Sequence, residues 1–181
     1  MHTLRQAIET YLKARDLQCP SLIADAFSEQ AQVRIVSSST AISFPGEIRG
    51  QDAIVRVLVT QIAERFSSVC TSCIGAPPED NEPFECRWLT SMTERDGGGV
   101  LVGCGRYQWQ AEIGEARIAS LVVTIDVMTR LAEKDHESGL AWLHGLSYPW
   151  CTTACLEKNV PAIPAIRDIA RRLGLKREHA R

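Results

Sequence analysis

No apolar run in the sequence is long enough to span a bilayer, and the opening residues, Met1-His2-Thr3-Leu4-Arg5-Gln6, lack the apolar region of a secretory signal. A soluble cytoplasmic protein with no membrane contact is therefore expected. Internal repeats and low-complexity tracts are missing, which excludes solenoid and fibrous architectures. An even cysteine count is missing too. The seven cysteines cannot all pair, and their scatter through apolar segments fits a reducing compartment. Net charge is only −2; six Lys or Arg against two acids from Arg167 onward make that tail +4 and leave −6 for the rest. The tail has no interleaved aromatics, so it reads as a solvated helix end and no nucleic-acid partner is expected.

What is present fits one domain with an extension: 181 residues, 45% of them apolar, suffice for a sizeable core. Thr3-Leu4-Arg5-Gln6 matches a capping box, and Leu4, Ile8, Tyr11 and Leu12 share one helix face, turning Tyr11 towards the core. Pro20 opens a short second helix with Leu22, Ile23, Ala26 and Phe27. Ala31 to Ser37 reads as a strand, and after Gly50 the stripe Ile54, Leu58, Ile62 and Phe66 predicts a longer helix covering a sheet. Phe84 to Glu94 and Val100 to Ile113 are strand-like runs flanking Asp96-Gly97-Gly98-Gly99, a hairpin signal. Ile118 to Leu131 and Leu140 to Tyr148 are read as two further strands. Ile166, Ile169, Ala170 and Leu173 predict a last amphipathic helix ended by Gly174. Helices followed by a long meander imply an α+β fold in which a curved antiparallel sheet wraps N-terminal helices and encloses a pocket. The domain is expected over residues 1–149 and the extension over 150–181.

The central puzzle is Asp126, an acid amid the β-branched run IASLVVTIDVMTRL. Asp is depleted in strands, so it must be exposed, paired to an arginine such as Arg106 or Arg117, or kept neutral for a purpose. Alternation puts Val122, Thr124, Asp126 and Met128 on one face. His144, among Trp142, Leu146 and Tyr148, is a candidate base because imidazole titrates near neutrality; Glu112 and Cys104 rank behind it. Cys70-Thr71-Ser72-Cys73 and Cys151-Thr152-Thr153-Ala154-Cys155 have pair spacings, but packing or a loop thiol is the expected role and no metal is expected. Trp88, Trp109, Trp142 and Trp150 suit either a pocket or a buried contact between subunits.

From Leu4 to Tyr148 the chain resembles the nuclear transport factor 2-like superfamily, and within it the ketosteroid isomerases and polyketide cyclases. The resemblance is carried by Phe27-Ser28-Glu29-Gln30-Ala31-Gln32-Val33 after the helix hairpin, by Gly50-Gln51-Asp52-Ala53-Ile54, and by Ile125-Asp126-Val127-Met128. It implies a cone-shaped fold, homodimerisation through the outer sheet face, no cofactor, and a pocket for a small apolar or aromatic ligand lined by Phe27, Ile35, Trp109, Thr124 and Met128. Tyr11 and Asp126 fall where those isomerases hold an oxyanion, the acid being neutral so that it can donate. The family's catalytic aspartate falls at Ile35, and no Asp, Glu or His stands between Ala31 and Gly46. Steroid isomerisation is thus disfavoured. An isomerase, cyclase or dehydratase with another base remains open, as do a binding protein without turnover and an association module.

Overall fold

In the computed structural model the described residues are 3 to 174. Helix α1 (Leu4–Asp16) starts as the sequence predicts: Gln6 N–H donates to Thr3 Oγ1 at 3.3 Å and Thr3 N–H to Gln6 Oε1 at 2.9 Å. A cap of this kind is worth about 1 kcal/mol. A single turn at Pro20–Leu22 leads into α2 (Ile23–Ala26), and the chain then runs directly into β1 (Phe27–Ser37), four residues earlier than the pattern suggested. Strand β2 (Glu47–Arg49) pairs with β1, and Gly50, at φ 79°, turns the chain into α3 (Gln51–Ile54). A π-helical stretch (Val55–Thr60) links α3 to α4 (Gln61–Arg65). Val57, Leu58 and Val59 are buried in succession along it.

Strand β3 (Phe66–Ile74), which the sequence reading missed, follows at once; β4 (Phe84–Glu94) and β5 (Val100–Ala111) form the expected hairpin, and β6 (Ile118–Arg130) is the long strand bearing Asp126. With the two-residue β7 (Trp150–Cys151), the seven-stranded sheet has the order β2-β1-β6-β5-β4-β3-β7. It is mixed rather than purely antiparallel, because β1 lies parallel to β6 and β7 parallel to β3.

The predicted strand over Leu140 to Tyr148 is corrected: His136–His144 is a helix, α5. Gly139, Trp142 and Leu143 are its buried positions, a spacing of three and four that serves a helix packed on a sheet. Helices α6 (Thr153–Leu156) and α7 (Pro164–Arg172) complete the chain described here. The part of the basic tail beyond residue 174 lies outside the described residues.

Apolar side chains gather on both sides of the sheet. On the concave side, α1, α2 and the α3–α4 segment close over Phe27, Val33, Trp88, Tyr107, Trp109, Leu121, Val123 and Ile125. On the outer side, Trp142, Leu143, Leu156, Ile163, Ile166 and Ile169 cover Leu89, Val102 and Cys104. The C-terminal part of the chain is therefore a third layer, α on β on α. No helix among the described residues is long and apolar enough to cross a membrane.

Candidate functional site

The site is built on strand alternation. Along β5, Arg106, Gln108 and Gln110 are exposed, whereas Gly103, Gly105, Tyr107 and Trp109 face the concave side. The two glycines make room there. A Cβ on Gly103 would stand 2.7 Å from the Met128 side chain, and one on Gly105 would stand 2.7 Å from Trp88 and collide with the Thr124 carbonyl. Opposite them on β4, Trp88, Thr90 and Met92 point the same way.

Between these strands and the helices lies a cavity of about 50 Å³, walled by Ile35, Ile42, Phe44, Leu58, Ile62, Val69, Met92, Val123, Ile125 and Met128, with Tyr11, Arg15, Trp88, Thr90 and Tyr107 at one end. Its free volume amounts to a few water molecules.

The polar end is organised by Arg15, in the last turn of α1, whose side chain is only 13% exposed. Its Nη1 donates to the Tyr107 hydroxyl oxygen at 2.8 Å, and its Nε and Nη2 donate to Asp16 Oδ1 at 3.1 and 2.9 Å. Nη2 also donates to Thr71 Oγ1. Asp16 in turn accepts the Thr71 backbone N–H at 2.7 Å, and the Thr71 and Thr90 hydroxyls lie 2.7 Å apart. A buried charge pair persists when its remaining donors and acceptors are satisfied, and here they are. Burial pushes the Asp16 carboxyl up from its ordinary value, with Arg15 and Thr71 drawing part of the rise back. Burial alone would lower the Arg15 guanidinium, but Tyr107, Asp16 and Tyr11 carry it well above its usual range.

Burial raises both phenols. Tyr107 goes well above its ordinary value and Tyr11 rises too, each pulled back in part by Arg15. Both are neutral donors at physiological pH. The Arg15 carbon lies 5.7 Å from the Tyr11 ring centre, and Tyr11, Trp109, Tyr107 and Trp88 form a chain of ring contacts with centroids 5.7, 4.9 and 5.5 Å apart. Trp88 Nε1 is buried and has no partner among the described residues.

Of the residues singled out from sequence, Tyr11, Ile35 and Met128 line the cavity. Phe27 and Trp109 do not reach it; they pack behind it against the Tyr11 ring, with centroids 5.3 and 5.7 Å away. Asp126 and Thr124 are corrected. The β5–β6 register slips by one residue between Gly105↔Ile125 and Cys104↔Val127, leaving Asp126 as the extra residue of a bulge. Val123, Ile125 and Met128 thus face the cavity, while Thr124 and Asp126 belong to the outer side, where Asp126 acts on Cys104 and Arg172. The proposed face of Thr124, Asp126 and Met128 is split by that bulge. His144 is corrected as well: it is exposed at the end of α5, in the layer on the far side of the sheet.

Arg15 and Tyr107 were missed. The alternation of Gly103-Cys104-Gly105-Arg106-Tyr107-Gln108-Trp109-Gln110 already placed Tyr107 inward. Arg15 follows Tyr11 by four residues, one turn along the same helix face.

No family model matches the sequence, and no curated protein matches it. Solved structures do. A nuclear transport factor 2-like protein from Burkholderia thailandensis is 16% identical, with 70% of this chain and 92% of that one covered and a TM-score of 0.55. This chain has the nuclear transport factor 2-like fold. A superfamily protein from Salmonella enterica serovar Typhimurium, 20% identical, covers 72% of this chain and 96% of its own at a TM-score of 0.51. A computationally designed 17-OHP binder, 14% identical, covers 70% and 96% at a TM-score of 0.57. A hexachlorocyclohexane dehydrochlorinase, 12% identical, covers 70% and 85% at a TM-score of 0.53.

Proposed function

We propose that the protein binds a small planar carbonyl or phenol compound in the concave cavity, with the ligand oxygen held by the Tyr107 and Tyr11 hydroxyls and the rings of Trp88 and Tyr107 alongside. The observation that supports this reading is the bond from Arg15 to the Tyr107 oxygen. A hydroxyl that accepts from a cation becomes a stronger donor of its own proton, and Tyr107 lies in the cavity wall. The unpartnered Trp88 N–H is a third donor in the same wall.

A cavity of about 50 Å³ is smaller than one aromatic ring needs, so even a single-ring guest requires the flexible Met92 and Met128 to move aside. Binding without turnover is favoured, because among the described residues no Asp, Glu or His lines the cavity to move a proton between carbons. The cofactor-independent isomerase, cyclase or dehydratase reading therefore needs a base brought by the substrate. The fold does not choose between these readings, since it is shared by a designed binder and a dehydrochlorinase. A homodimer would use the part of the outer face that the C-terminal layer leaves open, around Arg34, Val36 and Gln108. A cytoplasmic location rests on the odd number of cysteines.

The test is ligand-observed NMR with a panel of single-ring phenols and cyclic enones, continued through long incubation. Saturation transfer to a panel member that stays chemically unchanged supports a binder, and a changed compound supports the enzymatic reading. No transfer to any member overturns the proposal.

A further inference from the structure

A carboxylate stands just behind the polar end of the cavity. Thr90 lines the cavity on β4, and its Cα partner on β3 is Thr71. Both are buried where valine would fill the same volume, so each hydroxyl needs a partner. They find one in each other at 2.7 Å, and either oxygen can donate. Thr71 Oγ1 also donates to Asp16 Oδ1 at 3.4 Å and accepts from Arg15 Nη2. Thr90, Thr71 and Asp16 therefore form a continuous line of hydrogen bonds from the cavity to the carboxylate. The Cys70 carbonyl, 3.1 Å from Thr90 Oγ1, is an alternative acceptor for the Thr90 proton.

Asp16 is the group able to take a proton there. The other titratable groups around Arg15 and Asp16 are Tyr11 on α1, Cys70 and Cys73 on β3, Tyr107 on β5 and Tyr148 before β7. Burial raises Tyr11, Cys70, Tyr107 and Tyr148, and the neighbouring Cys86 with burial raises Cys73, so all five are neutral at physiological pH. Arg15 links both ends of the line: it donates to Asp16 through Nε and Nη2 and to the Tyr107 oxygen through Nη1. A negative charge that leaves Asp16 for an oxygen held by Tyr107 stays beside the same guanidinium. The buried ion pair is then exchanged and not broken.

We propose that Asp16 is the proton acceptor of the cavity, reached through the Thr90 and Thr71 hydroxyls, and that the guest is an acidic phenol bound as its anion. This rests on the cavity being the binding site. The guest O–H donates to Thr90 Oγ1; the Thr90 proton passes to Thr71 Oγ1, and the Thr71 proton to Asp16 Oδ1. Each threonine gains one proton and loses one, so both end unchanged, Asp16 ends neutral and the guest ends as a phenolate. The line then runs in reverse, with Asp16 donating to Thr71, Thr71 to Thr90 and Thr90 to the phenolate, which also accepts from Tyr107 and Tyr11. Hydroxyls hand on a proton from oxygen and not from carbon, so binding without turnover stands. A carbonyl compound has no such proton and is the poorer guest.

The test uses the full chain and 4-nitrophenol, whose anion is yellow, at a pH below the compound's own midpoint. Absorbance gives the ionisation of the bound compound, and calorimetry in two buffers of different ionisation enthalpy gives the protons released to solvent. The wild type is expected to bind the yellow anion without releasing a proton, and its infrared difference spectrum to gain a protonated-carboxyl band. In D16N that band is expected to be absent, and the colour either to vanish or to come with release of one proton per anion bound. Thr90→Val is expected to shift the bound compound about tenfold towards its neutral form, because the phenolate loses a donor. The wild-type readouts do not depend on either variant folding. Binding of the neutral phenol by the wild type, a proton released on binding, a D16N that keeps both colour and proton, or an unchanged Thr90→Val overturns the proposal and leaves the cavity as a binding site. No binding of 4-nitrophenol overturns both.

Discussion

Arg15 is the residue on which the cavity depends, because one guanidinium holds the Asp16 carboxylate, the Thr71 hydroxyl and the Tyr107 oxygen at once. Arg15→Met leaves the Asp16 carboxylate buried without its counter-charge, and a loss of about 3–5 kcal/mol is expected in urea unfolding. The double variant with Asp16→Asn is expected to recover part of that loss, since the unpaired charge is gone. Tyr107→Phe removes one acceptor from a buried donor and is expected to cost about 1–3 kcal/mol. The tyrosines also predict a pH dependence. Their values are raised in the folded state, so above about pH 10 the unfolded chain releases phenol protons that the folded chain keeps, and stability falls. Thermal melts between pH 8 and 11 check this, and the fall is expected to be shallower in Tyr107→Phe. Tyr11 was legible in the sequence because the helical spacing of Leu4, Ile8, Tyr11 and Leu12 is unbroken. Arg15 was not, since a charged residue at a helix end is usually a solvated one, and only the Asp16–Thr71 contact, 55 residues apart, makes it internal.

At the scale of elements, the bulge in β6 decides which residues serve the site. Simple alternation put Asp126 and Met128 on one face, and the extra residue at Asp126 sends them to opposite ones. Nothing in IASLVVTIDVMTRL marks that slip, because both faces are apolar. The partner signal sits on β5: Gly105 is where the Thr124 carbonyl comes closest, and a side chain there would displace backbone. Gly105→Ala is therefore expected to destabilise by about 1–3 kcal/mol and to disturb the cavity, measured by urea unfolding and by ligand binding. The helix α5 was misread for a related reason. Leu140 to Tyr148 has apolar residues at spacings that suit either period, and its choice depends on the outer layer it packs against. Strand β3 escaped notice because its Ser, Thr and Cys residues alternate weakly, with Thr71, Ser72 and Cys73 all buried.

For the whole molecule, the α+β class, the curved sheet, the long β4–β5 hairpin and the last amphipathic helix were all legible from periodicity and turn residues. The role of the C-terminal part was not, because an amphipathic stripe tells that a helix docks and not where. In the structure Leu156, Ile163, Ile166, Ile169 and Leu173 lie on the outer face of the sheet. Burying such side chains is worth about 1.5–3 kcal/mol each, which together rivals the whole stability of an ordinary domain. Truncation after Tyr148 is therefore expected to leave a chain that self-associates or binds hydrophobic dyes, as size-exclusion chromatography and dye fluorescence would report. A monodisperse truncated protein with an unchanged melting temperature would contradict that layer's role.

The polar end of the cavity is made by Tyr107 and Tyr11 with Arg15 behind them, and Asp126 lies outside it. Calorimetric titration of a single-ring phenol into the wild type, Tyr107→Phe and Asp126→Asn tests it most directly. Tyr107→Phe is expected to weaken binding by roughly tenfold, the loss of one hydrogen bond of about 1.4 kcal/mol, while Asp126→Asn is expected to bind as the wild type does. Binding that survives in Tyr107→Phe and fails in Asp126→Asn would contradict it.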